Sequence, residues 1–121
     1  MPKDNLLIED YAGVTLVTFN DSSILDAGVI ESLGKDLYHL TDDLNKQKIV
    51  LDFTNVKFLS SQALGVLLTL HKRAVAIKGT VVLSGLKAEL KKVFTLTNLD
   101  KIFKFFPNDA AALASFGVHL K

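Results

Sequence analysis

The sequence predicts an α/β fold: a mixed sheet with an antiparallel hairpin at its amino end, parallel strands after it, and about four helices. Three observations predict it. Leu6-Leu7-Ile8 and Val14-Thr15-Leu16-Val17-Thr18-Phe19 are strand-like runs separated by Asp10-Tyr11-Ala12-Gly13, whose composition suits a tight turn. Residues 49–53 and 80–83 are short continuous apolar runs, the pattern of strands covered on both faces. Segments with helical spacing alternate with these runs, so strand, helix, strand recurs after the hairpin, which implies parallel strands joined by right-handed crossovers.

Each element has its own signal. After the hairpin, Asn20-Asp21-Ser22-Ser23 breaks the strand pattern, and Ala27, Ile30, Leu33, Leu37 and Leu40 then recur at helical spacing as far as Thr41-Asp42-Asp43. Lys35 and Lys46 flank that helix as solvated charges, and Asn45-Lys46-Gln47 turns the chain into the central strand at 49–53. A second helix starts at Ser60 or Ser61, because a serine oxygen there can accept a hydrogen bond from an otherwise orphaned first-turn amide. Leu64, Val66, Leu67, Leu68 and Leu70 make its first half apolar, and Gly79 is placed to cap its end. Gly65 inside it costs about 1 kcal/mol relative to alanine, which calls for a close approach by another element or by a partner. After the strand at 80–83, Leu86, Leu90, Val93 and Phe94 form the buried face of a third helix with Lys87, Lys91 and Lys92 opposite. Residues 102–106 read as an edge strand closed by Pro107, Asn108 as the cap of a last short helix, and 117–121 as a loose tail.

Composition narrows the function. A chain of 121 residues, 49% apolar and 22% charged, suits a single domain spanning 1–121. Fourteen basic against thirteen acidic side chains give a formal charge of +1, which is not the concentrated positive charge of a nucleic-acid binder. Absence of cysteine excludes disulfides and thiolate metal sites. Met1-Pro2-Lys3-Asp4-Asn5 leads into no export signal and no run is long enough to span a bilayer, so the expectation is a cytoplasmic protein without membrane insertion. His39, His71 and His119 lack metal-ligand spacing, no Gly-rich phosphate loop occurs, and Ser84-Gly85-Leu86-Lys87 lacks the companion motifs of a Ser-x-x-Lys enzyme. No enzyme, metal or cofactor is expected.

The stretch from Asp52 to Gly65 remains as the candidate site, since function in such sheets gathers at the carboxyl ends of strands. Two adjacent hydroxyls, Ser60 and Ser61, sit where the apolar helix begins, and the free amides there would stabilise a phosphate on either one. Asp52 and Asp26 read as ordinary loop-facing carboxylates, with a role at the edge of a phosphorylation pocket as the sharper reading.

Val56-Lys57-Phe58-Leu59-Ser60-Ser61-Gln62-Ala63-Leu64-Gly65 resembles the Phe-Ile/Met-Asp-Ser-Ser/Thr-Gly-Leu-Gly signature of the STAS domain of bacterial anti-sigma factor antagonists. Leu25-Asp26-Ala27 and Val93-Phe94-Thr95-Leu96-Thr97-Asn98-Leu99 resemble two further segments of that family, so the likeness covers nearly the whole chain. The resemblance implies a STAS-like fold and a non-catalytic protein that binds an anti-sigma factor, itself a serine protein kinase. It places the phosphorylated serine on Ser61, with Ser60 as runner-up, and implies that a serine phosphatase reverses the modification. The partner surface so implied comprises Asp26, Ser60, Ser61, Gln62, Ala63, Leu64 and Gly65. In this chain Ser60, Gln62 and Ala63 stand where the family has aspartate, a hydroxyl residue and glycine. Two other readings keep the fold: a constitutive STAS adaptor that no kinase modifies, or a small-molecule or lipid-handling subunit with a pocket near Leu64 and Leu67.

Overall fold

A computed structural model describes residues 6–119; the export-signal reading of Met1 to Asn5 and the last two residues of the expected tail lie outside the described residues. Strands β1 (Leu6–Tyr11) and β2 (Val14–Phe19) form the antiparallel hairpin. Asp10 and Tyr11 belong to β1 rather than to the turn, which shrinks to two residues: Ala12 (φ 52°) and Gly13 (φ 90°) both take positive φ, the geometry that matches the twist of paired strands. Strands β4 (Lys48–Asp52), β6 (Thr80–Ser84) and β7 (Phe105–Phe106) complete a five-stranded sheet in the order β1-β2-β4-β6-β7, parallel from β2 onward. The run at 49–53 falls on the central strand, which starts one residue earlier and ends at Asp52, and the sheet is the mixed one expected.

Helices α1 (Ala27–Asp42), α2 (Ser61–Ala76) and α3 (Ala88–Leu96) supply most of the larger core, which the Val17, Ile49, Leu51, Val81 and Leu83 side of the sheet lines. The alternate residues Val14, Leu16, Val50 and Val82 face α4 (Asp109–Ser115) in a smaller core with Ala112 and Leu113. This period-two division is why the central strands read as continuous apolar runs. Phe53, fully buried just past β4, stacks on Phe19 at 4.7 Å and meets Phe94 edge-on at 6.4 Å; burying such a ring stabilises the fold by about 2 to 3 kcal/mol.

Several expectations change in detail. The edge strand of 102–106 contracts to β7, because Leu99–Lys101 is a 3-10 turn and Phe103 turns inward against Phe94 and His71. At the end of α2 the left-handed residue is Lys78 (φ 62°), not Gly79. Lys78 and Gly79 donate their amides to Val75 and Ala74, and a Cβ on Gly79 would lie 2.7 Å from the Gln47 carbonyl, so glycine is needed there for space. Lys87 does not join Lys91 and Lys92 on a solvated face; its Nζ donates to the Thr54 carbonyl. Lys46 pairs with Asp10 at 3.4 Å. In the expected tail, Gly117 and Val118 bond back to Ala114 and Leu113, and Val118 packs on the smaller core.

Two short strands escaped the sequence pattern altogether. Strand β3 (Ser23–Ile24) pairs in parallel with β5 (Phe58–Leu59), in the register Ser23 to Phe58 and Ile24 to Leu59. Two residues carry no usable periodicity, so this pairing is decided by the loops after β2 and β4 meeting in space.

Candidate functional site

The loop between β4 and α2 is fixed at both ends and along its length. Asp52 accepts the Thr54 amide at 2.7 Å, a turn closed by the side chain that carries the chain out of the sheet. Phe53 donates its amide to the Ser84 carbonyl at 2.9 Å, and Val56 is fully buried beneath the loop. The Lys57 and Phe58 amides both donate to the Ser22 carbonyl, and the Ser60 amide to the Ile24 carbonyl at 3.1 Å. The two serines are thus delivered to the helix start by a pinned segment.

Ser60 is the N-cap of α2. Its backbone is extended (φ −85°, ψ 168°) and its Oγ accepts the Ala63 amide at 3.2 Å. Ser61 is the first helical residue and is exposed. The first turn of α2 holds no acidic side chain, so the positive end of the helix dipole is not offset from within the turn. Of the expected partner surface, Asp26, Ser61, Gln62 and Gly65 are exposed and Ser60 is half-buried. Ala63 and Leu64 are buried at 5% and 9% exposure and pack into the larger core. Asp26 caps α1 by accepting the Val29 amide at 3.0 Å. The starts of the two helices lie together, for Ala27, Gly28, Glu31 and Gln62 line one open cleft.

Gly65 departs from expectation: beyond its own helix backbone and chain neighbours, no atom of the described residues lies within 4 Å of the place its Cβ would occupy, so none of the described elements approaches it there. The pocket expected near Leu64 and Leu67 is also missing among the described residues. Leu67 is 3% exposed, and the partly open apolar space it lines with Phe19, Ile24, Ala63 and Val66 is about 10 Å³, room for about one water molecule.

Asp52 is not the loop-facing carboxylate expected. Last in the central strand, it is flanked by β2 and β6 and is 7% exposed. Nearby, Ser84 donates its hydroxyl to Asp109 at 2.6 Å. Burial pushes the Asp109 carboxyl up to about 6, with a hydrogen bond to Asp52 and the charges of Asp52 and Glu9 adding to it while the Ser84 hydroxyl works against it. The Glu9 charge in turn raises the Tyr11 phenol. Sequence reasoning missed this cluster; the available signal was that Asp52 and Ser84 both end apolar runs, and they are in fact register partners. Among the described residues no group of three histidine, aspartate or glutamate side chains is arranged to hold a metal.

The profile of the STAS domain matches residues 5–112. BtrV of Bordetella bronchiseptica, named as a candidate anti-sigma factor antagonist, is 31% identical over 74 residues, 61% of this chain; the match spans 64% of that protein, just under two thirds of its length. An anti-sigma factor antagonist from Mycobacterium paratuberculosis superimposes with a TM-score of 0.79 at 25% identity over 91% of each chain. The anti-sigma factor antagonist SpoIIAA, solved unphosphorylated, superimposes with a TM-score of 0.71 at 14% identity over 93% of this chain and 96% of its own, a likeness of fold. SpoIIAA, a Bacillus cell fate determinant, is also solved in a phosphorylated form, with a TM-score of 0.67 at 14% identity over 84% of this chain and 91% of its own.

Proposed function

The chain belongs to the STAS domain family, and on that premise we propose that it is an anti-sigma factor antagonist whose hold on its partner is switched by phosphorylation of Ser61. The partner in this reading is an anti-sigma factor that is itself a serine kinase, a serine phosphatase resets the switch, and both act in the cytoplasm. The protein itself performs no catalysis.

The observation that carries the reading is the division of labour between two adjacent serines. Ser60 Oγ is engaged by the Ala63 amide, whereas Ser61 stands exposed at the first position of α2. On Ser60 a phosphate would be attached to the half-buried oxygen that already accepts the Ala63 amide. On Ser61 a phosphate would leave the cap intact and sit against free amides at the positive end of the helix dipole, so modification changes surface charge without unfolding the helix. The phosphate brings about −1.5 to −2 charges to the partner face. At an effective dielectric near 20, like unit charges about 4 Å apart repel by about 4 kcal/mol, close to a thousandfold in affinity.

Two measurements test this. The intact mass of protein isolated from its own organism, with and without phosphatase, should differ by one phosphate, and peptides covering 58–71 should place it on Ser61. Ser61→Ala should hold the anti-sigma factor as tightly as the unmodified chain, and Ser61→Asp should lose affinity. No phosphate under any growth condition, with equal affinity of both variants, would leave the chain a constitutive adaptor.

A further inference from the structure

The mini-sheet of β3 and β5 has an inner and an outer face. Ile24 is buried at 2% exposure and Leu59 packs against the larger core. Side chains alternate along a strand, so Ser23 and Phe58 point the other way, and the alternation carries on to Leu25 and Ser60, whose amide bonds to the Ile24 carbonyl. Leu25 and Phe58 are therefore on the outward face, 55% and 58% exposed, diagonal neighbours across two parallel rows. Neither is needed by the core. Together they place two large apolar side chains in water on the mini-sheet whose second strand, β5, leads into Ser60 and Ser61.

The charges beside them are uneven. Phe58 shares a cleft of about 250 Å³ with Lys57, Lys87 and Glu89, a net charge of +1 from two lysines and one glutamate. On the α1 side, Leu25 is followed by Asp26, and Glu31 lies one turn into the helix. An apolar centre with a basic flank on one side and an acidic flank on the other admits a partner in one orientation.

We infer that Leu25 and Phe58 anchor the anti-sigma factor proposed above, inserting into an apolar depression of that protein whose rim carries carboxylates opposite Lys57 and Lys87. This rests on that functional reading and adds to it where the affinity resides: the switch at Ser61 adds repulsion to an attraction that the mini-sheet supplies. Aromatic anchors at the centre of an interface carry a disproportionate share of binding energy, while the charged rim sets orientation and salt dependence.

The test uses the full chain and the purified anti-sigma factor from the same organism, titrated calorimetrically at low and high salt. Phe58→Ala and Leu25→Ala should each weaken binding by about tenfold or more, and Lys57→Glu should weaken it most at low salt. Because all three side chains are exposed, the variants should melt within about 2 °C of the parent, since surface changes rarely exceed about 0.5 kcal/mol. Parent-like affinity of Phe58→Ala and Leu25→Ala, with Ser61→Asp still weakened, overturns the anchor and leaves the switch standing. Failure of the unmodified chain to bind any anti-sigma factor overturns both.

Discussion

Helices α2 and α4 begin with the same local device. Ser60 accepts the amide of Ala63 at 3.2 Å and Asn108 that of Ala111 at 2.9 Å, and each cap is followed by a polar first residue, Ser61 in one case and Asp109 in the other. The surroundings of those two residues differ completely. Asp109 is bonded to Ser84 and Asp52 and lies over the carboxyl ends of the central strands, its charge partly suppressed by burial. Ser61 is presented to solvent on a helix start without an acid in its first turn. A cap therefore fixes where a helix begins and says nothing about the use of its first residue. That use is set by whether another element reaches it.

The largest effect should come from disturbing both helix starts at once. Gly85 joins them: its amide donates to the Phe106 carbonyl ahead of α4, and its Cα faces Thr54 of the loop ahead of α2. Its φ is +71°, and a Cβ would lie 2.3 Å from Thr54 Oγ1 and 3.1 Å from the Thr54 amide nitrogen. Gly85→Ala should therefore lower stability by about 3 kcal/mol in urea unfolding, from left-handed strain plus forced displacement of backbone. A loss below about 1 kcal/mol would show that the two starts move independently.

Next comes the charge at α4. A carboxyl raised from 3.8 to about 6 binds its proton more tightly in the folded state, so the stability it contributes is full below about pH 3.8 and is lost as pH rises through about 6. Asp109→Asn keeps an acceptor for Ser84 and offers Asp52 an N–H. It should raise stability at pH 7 by about 1 kcal/mol, after allowing for partial exposure to water, and should flatten the stability profile between about pH 4 and 6. An unchanged profile would mean that Asp109 titrates like a surface carboxyl.

Removing the caps asks whether the shared device contributes equally at both places. Ser60→Ala and Asn108→Ala should each cost about 1 kcal/mol by thermal unfolding. A much smaller loss for Ser60→Ala would mean that the pinned loop holds α2 in place without its cap.

The smallest change falls on α2. Gly65→Ala adds a methyl group in open space and should stabilise the helix by up to about 1 kcal/mol. If the same variant binds the anti-sigma factor less tightly, the bare backbone at this position serves the partner.

Much of this was legible from the chain. Asn108 and the serine pair announce helix starts because the cap interaction spans three residues, and α1 and α2 announce themselves by an apolar period sustained over 16 residues each. The Ser60-Ser61 junction was legible as the candidate site for the same reason. The mini-sheet was not, since its strands have two residues each and their partners lie on separate loops. Nor was the burial of Asp52, whose isolated carboxylate gives no hint that Ser84 and Asp109 will close over it.

The sequence by itself determined the order of the helices and of the five strands of the main sheet, the caps that start α2 and α4, and the alternation that gives the sheet two apolar faces, because these depend on neighbours within a few residues. The tertiary structure alone decided which of the polar side chains at the strand ends became a buried joint and which stayed reachable. That choice depends on strand register and on which loops meet: β4 set beside β6 brings Asp52 to Ser84, whereas β3 set beside β5 turns Phe58 and Leu25 outward next to Ser61.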